Sequence, residues 1–287
     1  MLAIYKREVR SYLTSMLGYV FIALNLLLVG IYFTFYNLQY GYPYLDYTLS
    51  GVSFVFLVTT PILTMKVLAE ERRQKTDQLL LTSPVSPGKI VLGKYLALVT
   101  IFLIPMVIIG CYPLVLSSFG SVPLKTDYTA LLGYFLAGCA YLALGLFLSS
   151  TTESPVLAAV LTFGACFLCY MANSLGSFIS GTSFATYIAL IVAAALICLL
   201  VYTMTKSSVI SGGLFLLAVI LLTVCYFAKS SWLAGGIQKI IGIFDFGSPF
   251  SKFLNGILDL RSVLYFISVI AVCGCLSVQS IQKRRWS

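Results

Sequence analysis

Histidine is absent from the 287 residues, and only 9% of them carry charge. Without an imidazole the chain lacks the usual general base of a hydrolase. The phosphate loop G-x-x-x-x-G-K-[ST], the nucleophile elbow G-x-S-x-G and the zinc helix H-E-x-x-H are missing as well. No ATP site of the usual kind is expected, no metal and no cofactor, and the chain is not expected to be an enzyme by itself. The eight cysteines (Cys111, Cys139, Cys166, Cys169, Cys198, Cys225, Cys273, Cys275) all fall in or beside apolar runs. They suit helix packing better than a disulfide framework, and the Cys166/Cys169 pair has no second thiol pair or histidine to complete a metal site. A cleavable signal peptide is not expected either, because the first apolar run is full-length and follows a long basic helix.

What the chain has instead is hydrophobicity. Apolar residues make up 60% of it and the mean hydropathy is +1.01. Continuous apolar runs of about 18 residues or more read as helices crossing a ~30 Å hydrocarbon core, not as alternating barrel strands. The expected fold class is all-α: a polytopic helical membrane protein with about eight spans, near 18–36, 47–68, 90–117, 128–148, 156–175, 184–204, 209–228 and 262–281. Pro61 is expected to kink the second span, and Pro105 and Pro113 to interrupt the third. Residues 1–17 place Leu2, Tyr5, Val9, Tyr12, Leu13 and Met16 at helical spacing, with Lys6, Arg7 and Arg10 opposite. That pattern suits an amphipathic helix in the headgroup layer. Residues 229–261 are mixed and suit two short amphipathic helices on the outer surface, separated at 245–249.

The net charge of +9 needs no nucleic-acid partner. Eight spans put both termini on one side. Lys6, Arg7, Arg10, Lys66, Arg72, Arg73, Lys75, Lys89, Lys94, Lys206, Lys283, Arg284 and Arg285 then share that side. Only Lys125, Lys229, Lys239, Lys252 and Arg261 face the other. The excess marks the cytoplasmic side, with both termini there and the chain in the inner membrane. Ionisable groups inside the spans are nearly lacking, and Asn25 and Asn173 are merely polar. An ion-coupled carrier is therefore disfavoured.

One polar island stands out between the second and third spans: residues 70–87, EERRQKTDQLLLTSPVSP. Glu71 and Lys75, and Arg73 and Asp77, are spaced i,i+4, and Glu70 and Arg73 i,i+3, so a short helix would pair opposite charges. Pro84 and Pro87 would end it.

This island resembles the permeases of type-2 ATP-binding-cassette transporters. The matching residues are Glu70-Glu71-Arg72-Arg73, Thr76, Leu79-Leu80-Leu81, Thr82-Ser83-Pro84-Val85-Ser86 and Ile90-Val91-Leu92-Gly93-Lys94. Ser248-Pro249-Phe250, then Gly256-Ile257-Leu258-Asp259-Leu260-Arg261 and Tyr265-Phe266, resemble the gliding-motility-associated subfamily. The family core has six spans, so the hairpin 184–228 is an addition. The resemblance implies a partner ATPase in two copies, which would hold ATP and Mg, and a second permease chain, identical or related. It implies a coupling helix over Glu70, Glu71, Arg72, Arg73, Gln74, Lys75, Thr76, Asp77, Gln78 and Leu79, and a second contact at Thr151, Thr152 and Glu153. Residues 1–17 would be the connecting helix. Export through alternating access is the leading expectation. A mechanical transducer acting on an extracytoplasmic accessory protein through 229–261 is the alternative, against which that segment would simply be a lid.

Overall fold

A computed structural model describes residues 1–76, 85–178, 187, 223 and 236–286, and among them every regular element is helical. Six helical stretches among the described residues are long and apolar enough to cross a membrane: Met16–Gln39, Asp46–Arg73, Pro87–Ser117, Leu124–Thr151, Pro155–Gly176 and Leu260–Lys283. The further spans expected at 184–204 and 209–228 lie outside the described residues, save Tyr187 and Thr223, whose hydroxyls are 3.1 Å apart. The chain divides into one unit of Met1–Leu168 with Phe246–Ser287, and another of Cys169–Asp245.

In the first unit, α1 (Leu2–Thr14) is separated from α2 (Met16–Phe33) by Ser15, whose backbone is extended. The single amphipathic helix expected over 1–17 is thus cut at its end. Its apolar stripe is only partly packed. Leu2, Leu13 and Met16 stay exposed, while Glu8 and Tyr12 are buried. Tyr12 donates to the Leu63 carbonyl at 2.9 Å, and the Tyr5 and Thr100 hydroxyls lie 3.0 Å apart. Two tyrosine hydroxyls with bonding partners thus anchor the helix, and Ile4 packs close to Gly93 of the third span.

A wide π turn, Thr34–Gln39, prolongs α2. The second span is segmented into α3 (Asp46–Val52), a 3-10 turn at Ser53–Val55, and α4 (Phe56–Thr64), after which comes α5 (Ala69–Arg73). Pro61 sits inside α4. The third span starts with α6 (Pro87–Ile109), whose proline occupies the first turn, where no N–H is needed. Pro105 does not interrupt it. The break falls at Gly110-Cys111, and Pro113 opens α7 (Tyr112–Ser117).

At the centre stands α8 (Leu124–Thr151), packed by α4, α6, α11 (Gly247–Leu254) and α12 (Leu260–Trp286). Aromatic rings fill the space around it: Tyr134 lies 4.6 Å from Phe56, and Tyr141 lies 4.8 Å from Phe246. Phe250 and Phe253 of α11 are buried. Ser248 and Pro249 lie in the first turn of α11, not in the separator expected at 245–249. Asp259 accepts from the Arg261 amide at 3.1 Å and the Ser262 hydroxyl at 3.2 Å, capping α12, and takes a 2.7 Å bond from Lys252. That bond, with the help of the cap, holds the Asp259 carboxyl below its ordinary pKa.

Helix α9 (Pro155–Phe178) begins in the first unit and ends in the second. The second unit also holds α10 (Gly236–Ile243), and Gln238 donates to the Gly176 carbonyl at 3.5 Å.

Candidate functional site

The polar island begins as α5, and α5 is short because both of its ends are fixed. At its start the Ser149 hydroxyl of α8 accepts from the Leu68 and Ala69 amides, each at 3.2 Å. A side chain from another span thus caps a helix whose own sequence offers no cap. At its end the Lys75 amide donates to Arg72 at 3.1 Å and the Thr76 amide to Glu71 at 3.0 Å. This is the Schellman closure, with Lys75 at φ +57 where glycine is usual. Replacing Ser149 by alanine should destabilise this end by about 1 kcal/mol, the usual worth of a cap. Faster amide exchange at Leu68 and Ala69 is the measurement.

The early stop changes the charge pairs. Glu70 and Arg73 do pair, at 2.8 Å. The expected Glu71–Lys75 pair does not form, since Lys75 has left the helix and Glu71 points inward. Asp77, Gln78 and Leu79 lie outside the described residues, so the Arg73–Asp77 pair does too.

Glu71 enters a closed set of four charges. Lys94 of α6, with no side-chain exposure, lies 2.9 Å from Glu71 Oε2 and 3.0 Å from Glu8 Oε1, and donates to the Val67 carbonyl at 2.8 Å. The ammonium donates hydrogen bonds to Glu8 Oε1 and the Val67 carbonyl, and Glu71 Oε2 is held by its charge alone. Arg7 closes the set, 2.8 Å from Glu8 Oε1 and 2.7 Å from Glu71 Oε1. Two cations and two anions cancel, which offsets the burial of Lys94 and the two carboxylates, while Arg7 keeps about half of its side chain in solvent. Burial pushes the Glu8 carboxyl up, but the Lys94 charge and the hydrogen bonds from Arg7 and Lys94 outweigh it, so its pKa ends below the ordinary value. A depressed carboxylate adds stability above its unfolded pKa and loses it as pH falls through the folded one. The junction of α1, α5 and α6 should therefore loosen below about pH 4. Greater protease cleavage between α1 and α2 at that pH than at pH 7 would register it.

Arg72 completes the ties. It donates to the Ser280 hydroxyl of α12 at 3.3 Å, and Ser280 donates to the Ser150 carbonyl of α8 at 2.7 Å. So α5 is held by α1, α6, α8 and α12 together. Arg73, Gln74, Lys75 and Thr76 are exposed. The turn after α8 stands at the same end: Thr151 and Glu153 are exposed, Thr151 donates to the Leu148 carbonyl at 2.8 Å, and Thr152 donates to Ser154 at 3.4 Å. Between α1 and α5 a cleft of about 400 Å³ is lined by Ser11, Lys66, Glu70 and Gln74, among others. Among the described residues no group of three potential ligands stands close enough to hold a metal ion.

Glu8, Lys94, Ser149 and Ser280 were not legible as site residues in the sequence. Lys94 did leave a signal, a lone cation within an apolar span, where charge is expensive. Assigning it to the loop charges hid that.

A short polar helix is thus fastened to four helices at one end of an apolar bundle. Comparison with protein families finds that residues 32–281 match the ABC-2 family transporter protein. The chain belongs to this family. It is a membrane-spanning permease subunit of an ATP-binding-cassette transporter. Such permeases in general work as dimers with an ATPase on a separate subunit. The match assigns the family and not the gliding-motility-associated subfamily, and it begins within α2, leaving α1 to be interpreted from its contacts. A comparison with the curated proteins finds no match.

Proposed function

We propose that the permease is the membrane part of an exporter, driven by two ATPase subunits that bind ATP and Mg and dock on the exposed face of α5. The docking face comprises Glu70, Arg73, Gln74, Lys75 and Thr76, continued by Asp77, Gln78 and Leu79 and joined by Thr151, Thr152 and Glu153. Glu71 and Arg72 belong to the same helix but transmit the force inward. The observation that carries this reading is the fourfold fastening of α5. A displacement of its exposed face pulls on α6 through Lys94, on α1 through Arg7 and Glu8, on α8 through Ser149, and on α12 through Ser280. Two permease chains, identical or related, would then alternate between inward- and outward-open states, and α1, with Leu2, Leu13 and Met16 in the headgroup layer, would serve as the connecting helix. The excess of Lys and Arg at the α5 end supports a cytoplasmic location for it in the cell membrane, with both termini inside.

Burial of Phe250 and Phe253 favours export over mechanical transduction. These side chains are used against the permease's own α8, as a lid requires, and are not available to an accessory protein. The gliding-motility-associated subfamily stays part of this proposal on the strength of Ser248-Pro249-Phe250 and Gly256–Arg261 alone.

Single cysteines at Gln74, Thr152 and Lys252 test the docking. With a short thiol-to-amine crosslinker in native membranes, Gln74→Cys and Thr152→Cys should join an ATPase subunit, in yields that change with ATP and Mg. Lys252→Cys, at the other end, should not. Crosslinking from Lys252→Cys alone would invert the orientation and end the reading.

A further inference from the structure

Spans α6, α8 and α12 leave a groove between them with a volume of about 500 Å³, within the ~300–1,000 Å³ usual for small-molecule sites. Leu92 and Tyr95 of α6, Ala143 and Leu146 of α8, and Ile270 and Ala271 of α12 line it. Gly88 and Gly274 line it too, and a Cβ added at either would meet open space. Every wall belongs to a membrane-spanning stretch, and Leu92 is 51% exposed, so the groove opens sideways to the bilayer.

The α5 end of the groove is polar. Gln279 lies there, the residue just before Ser280, which reaches Arg72 and α8. Lys89 follows Gly88, and Lys283 stands one turn beyond Gln279. Both lysines are exposed, and among the described residues neither is paired with a carboxylate. An apolar slot between membrane-spanning helices, with one exposed lysine next to the lining residue Gly88 and another one turn beyond the lining residue Gln279, matches one kind of molecule.

We propose that the groove holds an acyl chain of an anionic glycerophospholipid from the leaflet at the α5 end, with the headgroup phosphate between Lys89 and Lys283. A second copy of the chain is a poorer occupant. A two-fold interface sets a patch against itself, and here it would bring one basic mouth against another. A soluble anion would use the lysines but leave the apolar walls empty. The proposal rests on the membrane location of the chain and not on the export reading. An occupied groove would wedge α12 apart from α6 beside the α5 ties, so lipid composition would bear on the coupling end.

The test is native mass spectrometry of the purified permease in detergent, with equimolar phosphatidylglycerol and phosphatidylcholine of identical chains. Wild type should retain the anionic lipid over the zwitterionic one by about tenfold. Lys89→Gln/Lys283→Gln should bring the two to parity, and Gly274→Leu should lower retention of both by about tenfold. Equal retention of the two lipids by wild type would overturn the proposal, as would unchanged retention by Gly274→Leu. Loss of the dimer in Gly274→Leu with lipid retained would give the groove to a second copy. The charge variant leaves the slot intact and decides the matter even where Gly274→Leu does not fold.

Discussion

Replacing Lys94 by methionine should lower the stability of the permease by about 3–5 kcal/mol, the range for removing one partner of a buried charge set. Methionine keeps an unbranched stem that ends one atom short of the ammonium, and donates nothing. It leaves Glu8 Oε1, Glu71 Oε2 and the Val67 carbonyl without the ammonium that now lies 3.0, 2.9 and 2.8 Å from them. Two carboxylates then share one guanidinium in a site with net charge −1, and without the Lys94 charge burial pushes the Glu8 carboxyl up. The pH dependence should therefore reverse. In wild type the depressed Glu8 carboxyl contributes stability at neutral pH and loses it in acid. In Lys94→Met, a folded-state Glu8 carboxyl with a raised pKa favours acid, so the variant should be more stable at pH 5 than at pH 8. Adding Glu8→Gln and Glu71→Gln should recover part of the loss, because neutral amides do not need the missing cation. Thermal inactivation midpoints of the three proteins across that pH range measure both effects. A uniform loss at all pH values would mean that Lys94 contributes by packing alone.

The second large effect belongs to Gly138. A Cβ there would collide with the rings of Phe102 and Phe56, which pack on α8 from α6 and α4. Leucine at this position forces α8 away from both helices, and overpacking of this kind costs about 1–3 kcal/mol, occasionally more. Gly145 is in the same situation against Thr64. Since Ser149 lies one turn beyond Gly145, displacing α8 also moves the cap off α5. Gly138→Leu should then lose stability and ATPase-coupled activity together. Gly164→Leu is the matched control: a Cβ at Gly164 meets nothing within 4 Å, so the same added volume should be tolerated.

The reach of the sequence follows from what kind of signal each feature leaves. Length and continuity of apolar runs gave the helical membrane class and the six described spans, because desolvation of the backbone acts on whole segments. The island at 70–87 was visible for the converse reason: so much charge cannot lie in lipid. Its internal geometry was not visible. The i,i+4 spacings assumed that the helix ran on, but Ser149 and the turn at Lys75 fix α5 to Ala69–Arg73. Glu71 took Lys94 and Arg7 as partners, at sequence separations no local pattern encodes. Of the two prolines expected to interrupt the third span, only Pro113 stands at a break. Pro105 is accommodated within α6, and the interruption comes at Gly110-Cys111, where the first turn of α7 begins. In α1 the apolar stripe predicted a face turned to the headgroup layer; Leu2, Leu13 and Met16 are exposed, but Tyr5 and Tyr12 of the same stripe, with Glu8, bond to neighbouring helices. Period alone does not distinguish burial against protein from burial in lipid.

The measurement that bears most directly on the account is co-purification of an ATPase subunit with the permease, comparing wild type with Arg73→Glu/Lys75→Glu. Both side chains are exposed at the end of α5, outside the Lys94 cluster, so the variant should keep the wild-type inactivation midpoint. The account predicts that wild type brings down the ATPase with activity, and that the variant emerges folded, dimeric and without it. A folded variant that retains the ATPase and its coupled activity at the wild-type level would contradict the assignment of α5 as the point where the force enters.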